Sequence, residues 1–514
     1  MRNKYEQLNP VKEDSLEGKK MCDLAFFITI LIIEEAMIGI FALISYQIFP
    51  YTDTYFTRPD TSSFGNRETI SAPYLNSMQS YYKPAFDVLV MTLVGFGFLS
   101  AFVKFHRWMS LGLSFFIIMV PMQMYILWYA FWYKTFAPYY SNSWTNRLNW
   151  QGIFYQTFNE HFQTILMDNI LMTAKAAFTV LISIGALIGR IDAFQALILA
   201  CIEVTLYALN NSILFYAIGV RDIGGSMYIH IFGSTFGLVA SFVYEIGTER
   251  KFYHNYRDSW GGASLAFLGT YFLWILFPTF NMYNRDHAYF FSEDEKFGTQ
   301  FLAAANTFFA LTTSTIFAFL TTLVFNGGKL KIEAVLNSTL SVAVMIAASC
   351  DMFAMPYPPL IVGAVAGIVS TICFEILKPY FAYCCGLLDT RGVFCLHFVP
   401  GVLGCFTSGI AMATLDRYWF VPDGNHVSFR YKPYSRWSYI QGGFQIVGGV
   451  ISFGFAFIGG LITGLSYLIF KCCCGVPIDI YADYAFFKLV KCCDKFNGQA
   501  QVIKNDECCP LCKI

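Results

Sequence analysis

The chain carries very little charge for its length, and what it carries cancels. Asp, Glu, Lys and Arg make up 13% of 514 residues, with 34 basic side chains against 34 acidic ones. So few polar groups cannot cover a water-soluble surface of this size, and a net charge of zero offers no handle for nucleic acid. No Walker loop, GxSxG elbow, HExxH helix or spaced CxxC pair occurs. Nucleotide-driven, serine-hydrolase and zinc-dependent enzymes therefore lack the groups they need, and the expectation is of no enzyme, no cofactor and no metal. Cysteine is present at 16 copies, yet eight lie beyond residue 470 and most others fall in apolar runs, so no disulfide framework is implied. A cleavable signal is also missing. The first apolar run starts at about Cys22 behind a polar, basic stretch and lacks a small-residue cleavage pattern, which reads as a retained first span.

What the chain has in excess is apolar surface: 56% hydrophobic residues, including 54 Phe, with 39 Gly. Runs long enough to cross a bilayer recur along it, the first at about 22–48, the ninth at 332–350 and the last at 440–470. The expected fold is an all-α polytopic membrane protein of about 12 transmembrane helices embedded in the lipid bilayer. Residues 1–21 read as a cytoplasmic N-terminal tail, 22–470 as the transmembrane domain and 471–514 as a cytoplasmic Cys-rich tail. An even number of spans puts both termini on one side, and an excess of Lys and Arg in the tails places that side in the cytoplasm. The cell membrane is the expected location, with an internal membrane as the alternative. The longer segments on the opposite side, rich in Tyr, Trp, Asn and Asp, are expected to build a vestibule.

Two segments organise the rest. Asp222 to His230 and Asp389 to His397 each begin with an aspartate, carry glycine behind it and place a histidine eight residues on. If the whole stretch is helical, eight residues rise about 12 Å, which sets each imidazole a little over two turns below its carboxylate on nearly the same face. The two helices are five spans apart. An odd offset reverses direction, giving a five-helix inverted-topology repeat with a site near the midplane of the repeat interface. Ionisable groups at that depth are costly and mark a pathway, and a symmetric pair argues against the plainer role of bonding a neighbouring carbonyl. Imidazole titrates near neutrality and can donate at one nitrogen while accepting at the other, which suits a small substrate that gives and takes a proton. The aspartates at the helix starts stabilise exposed N–H groups and draw cations toward each mouth. A cation cannot follow into hydrocarbon unless it sheds its charge.

Other intramembrane polar residues read as structural. Glu34, Glu35, Glu203 and Glu375 are expected to face the bundle interior or reach for water, and none forms a second matched pair. Gly460 and Gly464 in the last span have the GxxxG spacing of close helix packing. Asn210 and Asn337 head the two glycosylation sequons found, both in or beside spans, so no N-glycan is expected. Cys472, Cys473 and Cys474 follow the last span, where acylation or reduced thiols are equally expected.

The segments RDIGGSMYIHIFGSTFGL from Arg221 and DTRGVFCLHFVPGVLG from Asp389 resemble the two signature segments of the ammonium transporter/Rhesus glycoprotein family. VGFGFL at 94–99, LWILFPTFN at 273–281 and MPYPPLIVGAVAGIVST at 355–371 resemble its Rhesus branch. The resemblance implies a homotrimer whose subunits each hold a narrow apolar pore. In such a pore ammonium, recruited at an outer vestibule, would lose a proton and cross as ammonia. His230 and His397 match the twin histidines, Asp222 and Asp389 the aspartates at the helix starts, and Phe280 one of two gate phenylalanines. The second gate position falls on Lys175, with Phe178 one turn away. Arg391 stands where the Rhesus pattern usually has cysteine, and Phe398 where it has glycine. Lys175 is expected to point out to water; the alternative is an inward head that repels arriving ammonium unless Asp168 or Asp222 neutralises it. A non-conducting scaffold and a carbon dioxide or neutral-gas channel are the competing readings.

Overall fold

Backbone in hydrocarbon has no water to bond and must satisfy its own N–H and C=O groups, which confines a spanning chain to helices or closed barrels. The computed structural model describes residues 13–46, 72–102, 109–136, 163–165, 167–246, 260–283, 293–414 and 438–474, and these are helical almost throughout. In chain order they give α1 (Glu13–Ile44), α2 (Tyr81–Phe102), α3 (Ser110–Trp132), α4 (Met167–Leu187), α5 (Ala193–Ile218) and α6 (Ser226–Tyr244). There follow α7 (Gly261–Met282), α8 (Thr299–Phe325), α9 (Ile332–Ile346), α10 (Tyr357–Cys384), α11 (Phe394–Thr414) and α12 (Tyr439–Ile469). Ten of these, α2 to α8 and α10 to α12, are long and apolar enough among the described residues to cross a membrane. The extended pairing among the described residues joins Ser45–Tyr46 to Gln163–Thr164 in parallel.

Burial separates the helices by role. In α4 and α6, 94% and 89% of the apolar stretch is buried, against 28% in α8, so the first two form the core and α8 faces outward. Outward side chains such as Ile275, Phe301 and Val450 are more than half exposed and apolar, which is the surface a hydrocarbon solvent requires. Close packing rests on small residues: a Cβ at Gly460 of α12 would lie 2.7 Å from the Phe236 carbonyl oxygen, and one at Gly464 would meet Val243 at 2.6 Å.

α6 and α11 run antiparallel. Gly404 lies against Ser226 and His397 against His230, so positions fall along α11 as they rise along α6. This is the geometry an inverted repeat requires.

Three expectations change. The first helix begins at Glu13, before the apolar run, because hydropathy marks where a membrane could start and not where helical backbone does. The ninth apolar run, expected as one span over 332–350, is broken into Ile332–Ser338 and Ser341–Ile346 by a turn at Thr339 and Leu340. Its side chains are almost all buried, so the break is shielded by protein, the setting in which irregular backbone is tolerated at membrane depth. Third, α6 starts at Ser226 and α11 at Phe394, so each histidine sits about one turn into its helix and not two. The residues between aspartate and helix fold as a turn. The vestibule segments lie largely outside the described residues, as do Cys492, Cys493, Cys508, Cys509 and Cys512.

Candidate functional site

The two aspartate-led segments fold alike. The Asp222 carboxylate accepts the N–H groups of Gly225 at 3.0 Å, Met227 at 2.7 Å and Tyr228 at 3.1 Å. That of Asp389 accepts those of Val393 at 2.9 Å and Phe394 at 2.8 Å. Each acid thus satisfies the first donors of a helix, where carboxylates are favoured by the helix dipole. Three residues after each, a glycine turns the chain with positive φ, +91° at Gly225 and +73° at Gly392. Other residues rarely adopt that conformation, and at Gly392 a Cβ would also strike the Phe374 ring at 2.2 Å. Burial raises both carboxyls above their ordinary range. Backbone N–H groups oppose the rise at Asp222, whereas at Asp389 the Lys378 ammonium opposes it before they do. Lys378 itself is hydrogen-bonded to Glu333.

Both helices then open with a wide π turn, Ser226–Ile231 and Phe394–Phe398, and each turn holds a histidine. His230 Nδ1 lies 3.1 Å from His397 Nδ1. The rings are 9° from parallel with centroids 5.1 Å apart, and both are buried. One Nδ1 must donate and the other accept, so the pair shares a proton and the two rings take complementary tautomers. Among the described residues His230 Nε2 has no hydrogen-bond partner.

Aromatic rings close around the pair. Phe178 lies 6.0 Å from His230, 6.4 Å from His397 and 5.0 Å from Phe280, with Phe280 6.3 Å from His230. Phe96, in the VGFGFL segment, is 6.4 Å from His397 and 5.2 Å from Phe178. Phe178 therefore lies beside Phe280, the two rings tilted by 51°, and Lys175 stands one turn before it on α4.

That cation does not point to water. Lys175 is fully buried. Its Nζ donates to the Tyr283 carbonyl at 2.5 Å, lies 3.4 Å from the Ile223 carbonyl and 3.5 Å from the Tyr228 hydroxyl, and sits 4.8 Å from the centroid of the Phe280 ring. The outward expectation is overturned because these acceptors, which come from two distant segments, replace the water the head would otherwise seek. At the other end of the pair Arg391 is also buried. Its guanidinium stands 4.6 Å over the Phe96 ring and donates to Ser100, while its Nε has no partner among the described residues.

The remaining charges are structural. Glu203 accepts from Ser183 at 2.6 Å between α5 and α4, Glu34 from Gln123 at 3.2 Å, and Glu375 from Asn326 and Lys331 at 3.0 and 3.2 Å; Glu35 is exposed. Asn210 and Asn337 are buried, with amides on Ser452 and the Glu333 carbonyl. A buried ion pair that sequence reading did not single out, Arg221 with Asp351 at 2.6 Å, ties the turn before α6 to the end of the α9 segment, and Gln445 of α12 bonds the Arg221 backbone. Arg221 stands next to Asp222, so this pair and Gln445 hold the capping turn in place.

The model of the Ammonium Transporter Family matches residues 61–476. Ammonium transporter Rh type B of Danio rerio is 30% identical over 402 residues, covering 78% of this chain and 80% of that one. Ammonium transporter Rh type A of Bos taurus is 32% identical over 387 residues, covering 74% and 80%. Among solved structures, Nitrosomonas europaea Rh50 superposes with a TM-score of 0.63 at 24% identity over 81% of this chain and 94% of that one, a likeness of fold. Saccharomyces cerevisiae Mep2 follows at 0.54 and 17%, over 76% and 85%. The chain belongs to the Ammonium Transporter Family, in its Rhesus branch.

Proposed function

We propose that this chain is an ammonium/ammonia channel-type transporter of the cell membrane, with both termini cytoplasmic, in which ammonia crosses beside His230 and His397. The observation that carries the reading is the buried, proton-sharing contact of the two imidazoles at 3.1 Å. A protein with no use for such a pair would hold two polar rings in its interior against a desolvation penalty that apolar side chains avoid. His230 Nε2 supplies the bond a passing ammonia takes. Ammonium recruited at an outer vestibule gives up its proton there, since neither the aromatic lining nor the hydrocarbon repays its dehydration. Asp222 and Asp389 act as caps that hold the two histidine helices in register. Relatives named ammonium transporters support the substrate class. The 22–470 segment acts as one transport unit, and a homotrimer with one pore per subunit is the assembly proposed.

The test is reconstitution of the full chain in liposomes loaded with a pH-sensitive dye. An outward-to-inward ammonium gradient should alkalinise the lumen faster than in protein-free vesicles, and His230→Ala should slow it. Rates equal to empty vesicles would favour a non-conducting scaffold.

A further inference from the structure

The histidine pair has a fixed cation at each end. Neighbour by neighbour, Lys175 meets Phe280 at 4.8 Å, Phe280 meets His230 at 6.3 Å, His230 meets His397 at 5.1 Å, His397 meets Phe96 at 6.4 Å, and Phe96 meets Arg391 at 4.6 Å. The order is cation, ring, imidazole, imidazole, ring, cation. α4 fixes the scale: Lys175 lies in its first half, while Gly185 near its end packs on Arg391, about 15 Å further along the axis.

Resting on the ammonium reading above, we infer that Lys175 is a tethered ammonium which fills the cation position at one end of the pathway, and that with Arg391 it bars cations, leaving a route for neutral ammonia alone. The head of a lysine is an alkylammonium, the same functional group as the substrate. Its surroundings are those an ammonium ion would select: carbonyl oxygens of Tyr283 and Ile223, the hydroxyl of Tyr228 and the face of Phe280. With the position already filled, a second cation meets a like charge at about 5 Å. At the effective dielectric of about 20 that suits buried sites, this depletes it on the order of a hundredfold. A cation entering from the other end meets the buried guanidinium of Arg391 over the Phe96 ring. Neutral ammonia meets neither penalty. The two imidazoles accept and return its hydrogen bonds between the barriers.

The experiment measures two quantities on the same liposomes: luminal pH after an ammonium jump, and ammonium-evoked current on a solid-supported membrane. Wild type, Lys175→Met, Lys175→Arg, Arg391→Met and the double Met variant are compared, each with elution volume and helical content matched to wild type. Lys175→Gln stands in if the Met variant does not fold. The inference expects wild type and Lys175→Arg to alkalinise with current no higher than that of protein-free vesicles, and the double Met variant to carry current on the order of a hundredfold above that background. Current from wild type, or a double variant that still alkalinises and carries none, overturns the cation barrier while ammonia conduction stands. Absence of alkalinisation in wild type and every variant overturns the ammonium reading, and the barrier with it.

Discussion

The two ends of the histidine pair carry the same sign of charge on unlike foundations. Lys175 rises from the middle of a regular helix, α4, into a cage of backbone oxygens, so its donors are matched by acceptors from elsewhere in the fold. Arg391 comes from the turn beside Gly392, rests on a ring face, bonds Ser100 and leaves Nε without a partner. The acids differ as well: Asp222 takes up three backbone N–H groups and Asp389 two, with Lys378 beside the latter. Pseudosymmetry pairs Asp222 with Asp389 and His230 with His397, and each half supplies its own means of satisfying them, whereas Lys175 on α4 and Arg391 before α11 stand at unmatched positions. Mutations at matching positions should have unequal consequences.

The largest effect is expected where the halves meet. His230→Ala and His397→Ala should each slow ammonium-driven alkalinisation about tenfold, the value of one buried hydrogen bond made in transit. The double variant should lose less than the product of the single losses, because the rings share one proton. Additive losses would mean that the rings act separately.

Next comes the inequality of the cations in stability. Lys175→Met leaves the Tyr283 and Ile223 carbonyls buried and unsatisfied and should cost about 1–3 kcal/mol, read as a lowered unfolding midpoint in detergent. Arg391→Met removes one bond, to the Ser100 hydroxyl, together with an Nε that has no partner among the described residues, and should lower the midpoint by less. Equal losses would show that Arg391 has an acceptor of comparable worth.

Smaller still is the difference between the caps. Asp222→Ala should destabilise by about 2 kcal/mol and Asp389→Ala by about 1, following the number of N–H groups orphaned. Thermal unfolding followed by circular dichroism ranks them, and the reverse order would place more weight on the Lys378 contact. Lys331→Ala sets the floor. Its bond to Glu375 is at a half-exposed site, and its loss should shift the midpoint by less than about 1 kcal/mol.

Much of this was readable in the chain itself. Apolar runs located nearly every helix, since length and hydropathy are what a bilayer selects. The spacing of Asp222 with His230 and of Asp389 with His397 exposed the repeat, and the odd offset of five spans between the two helices gave its inverted sense. What stayed hidden was set by partners remote in sequence or by local backbone. The direction of Lys175 depends on carbonyls at Ile223 and Tyr283, which no periodicity reports. Arg221 finds Asp351 across 130 positions. The π turns sit in sequences as apolar as their neighbours, so hydropathy runs through them unaltered. Phe96 lay within a recognised segment, yet its place between Arg391 and His397 required the fold.

The central claim is that ammonia crosses at the histidine pair while both ends stay closed to cations. It is tested most directly by recording luminal pH and membrane current together from wild-type liposomes during one ammonium jump. The account predicts alkalinisation faster than in protein-free vesicles, with no current above theirs. A current that tracks the ammonium gradient would contradict it.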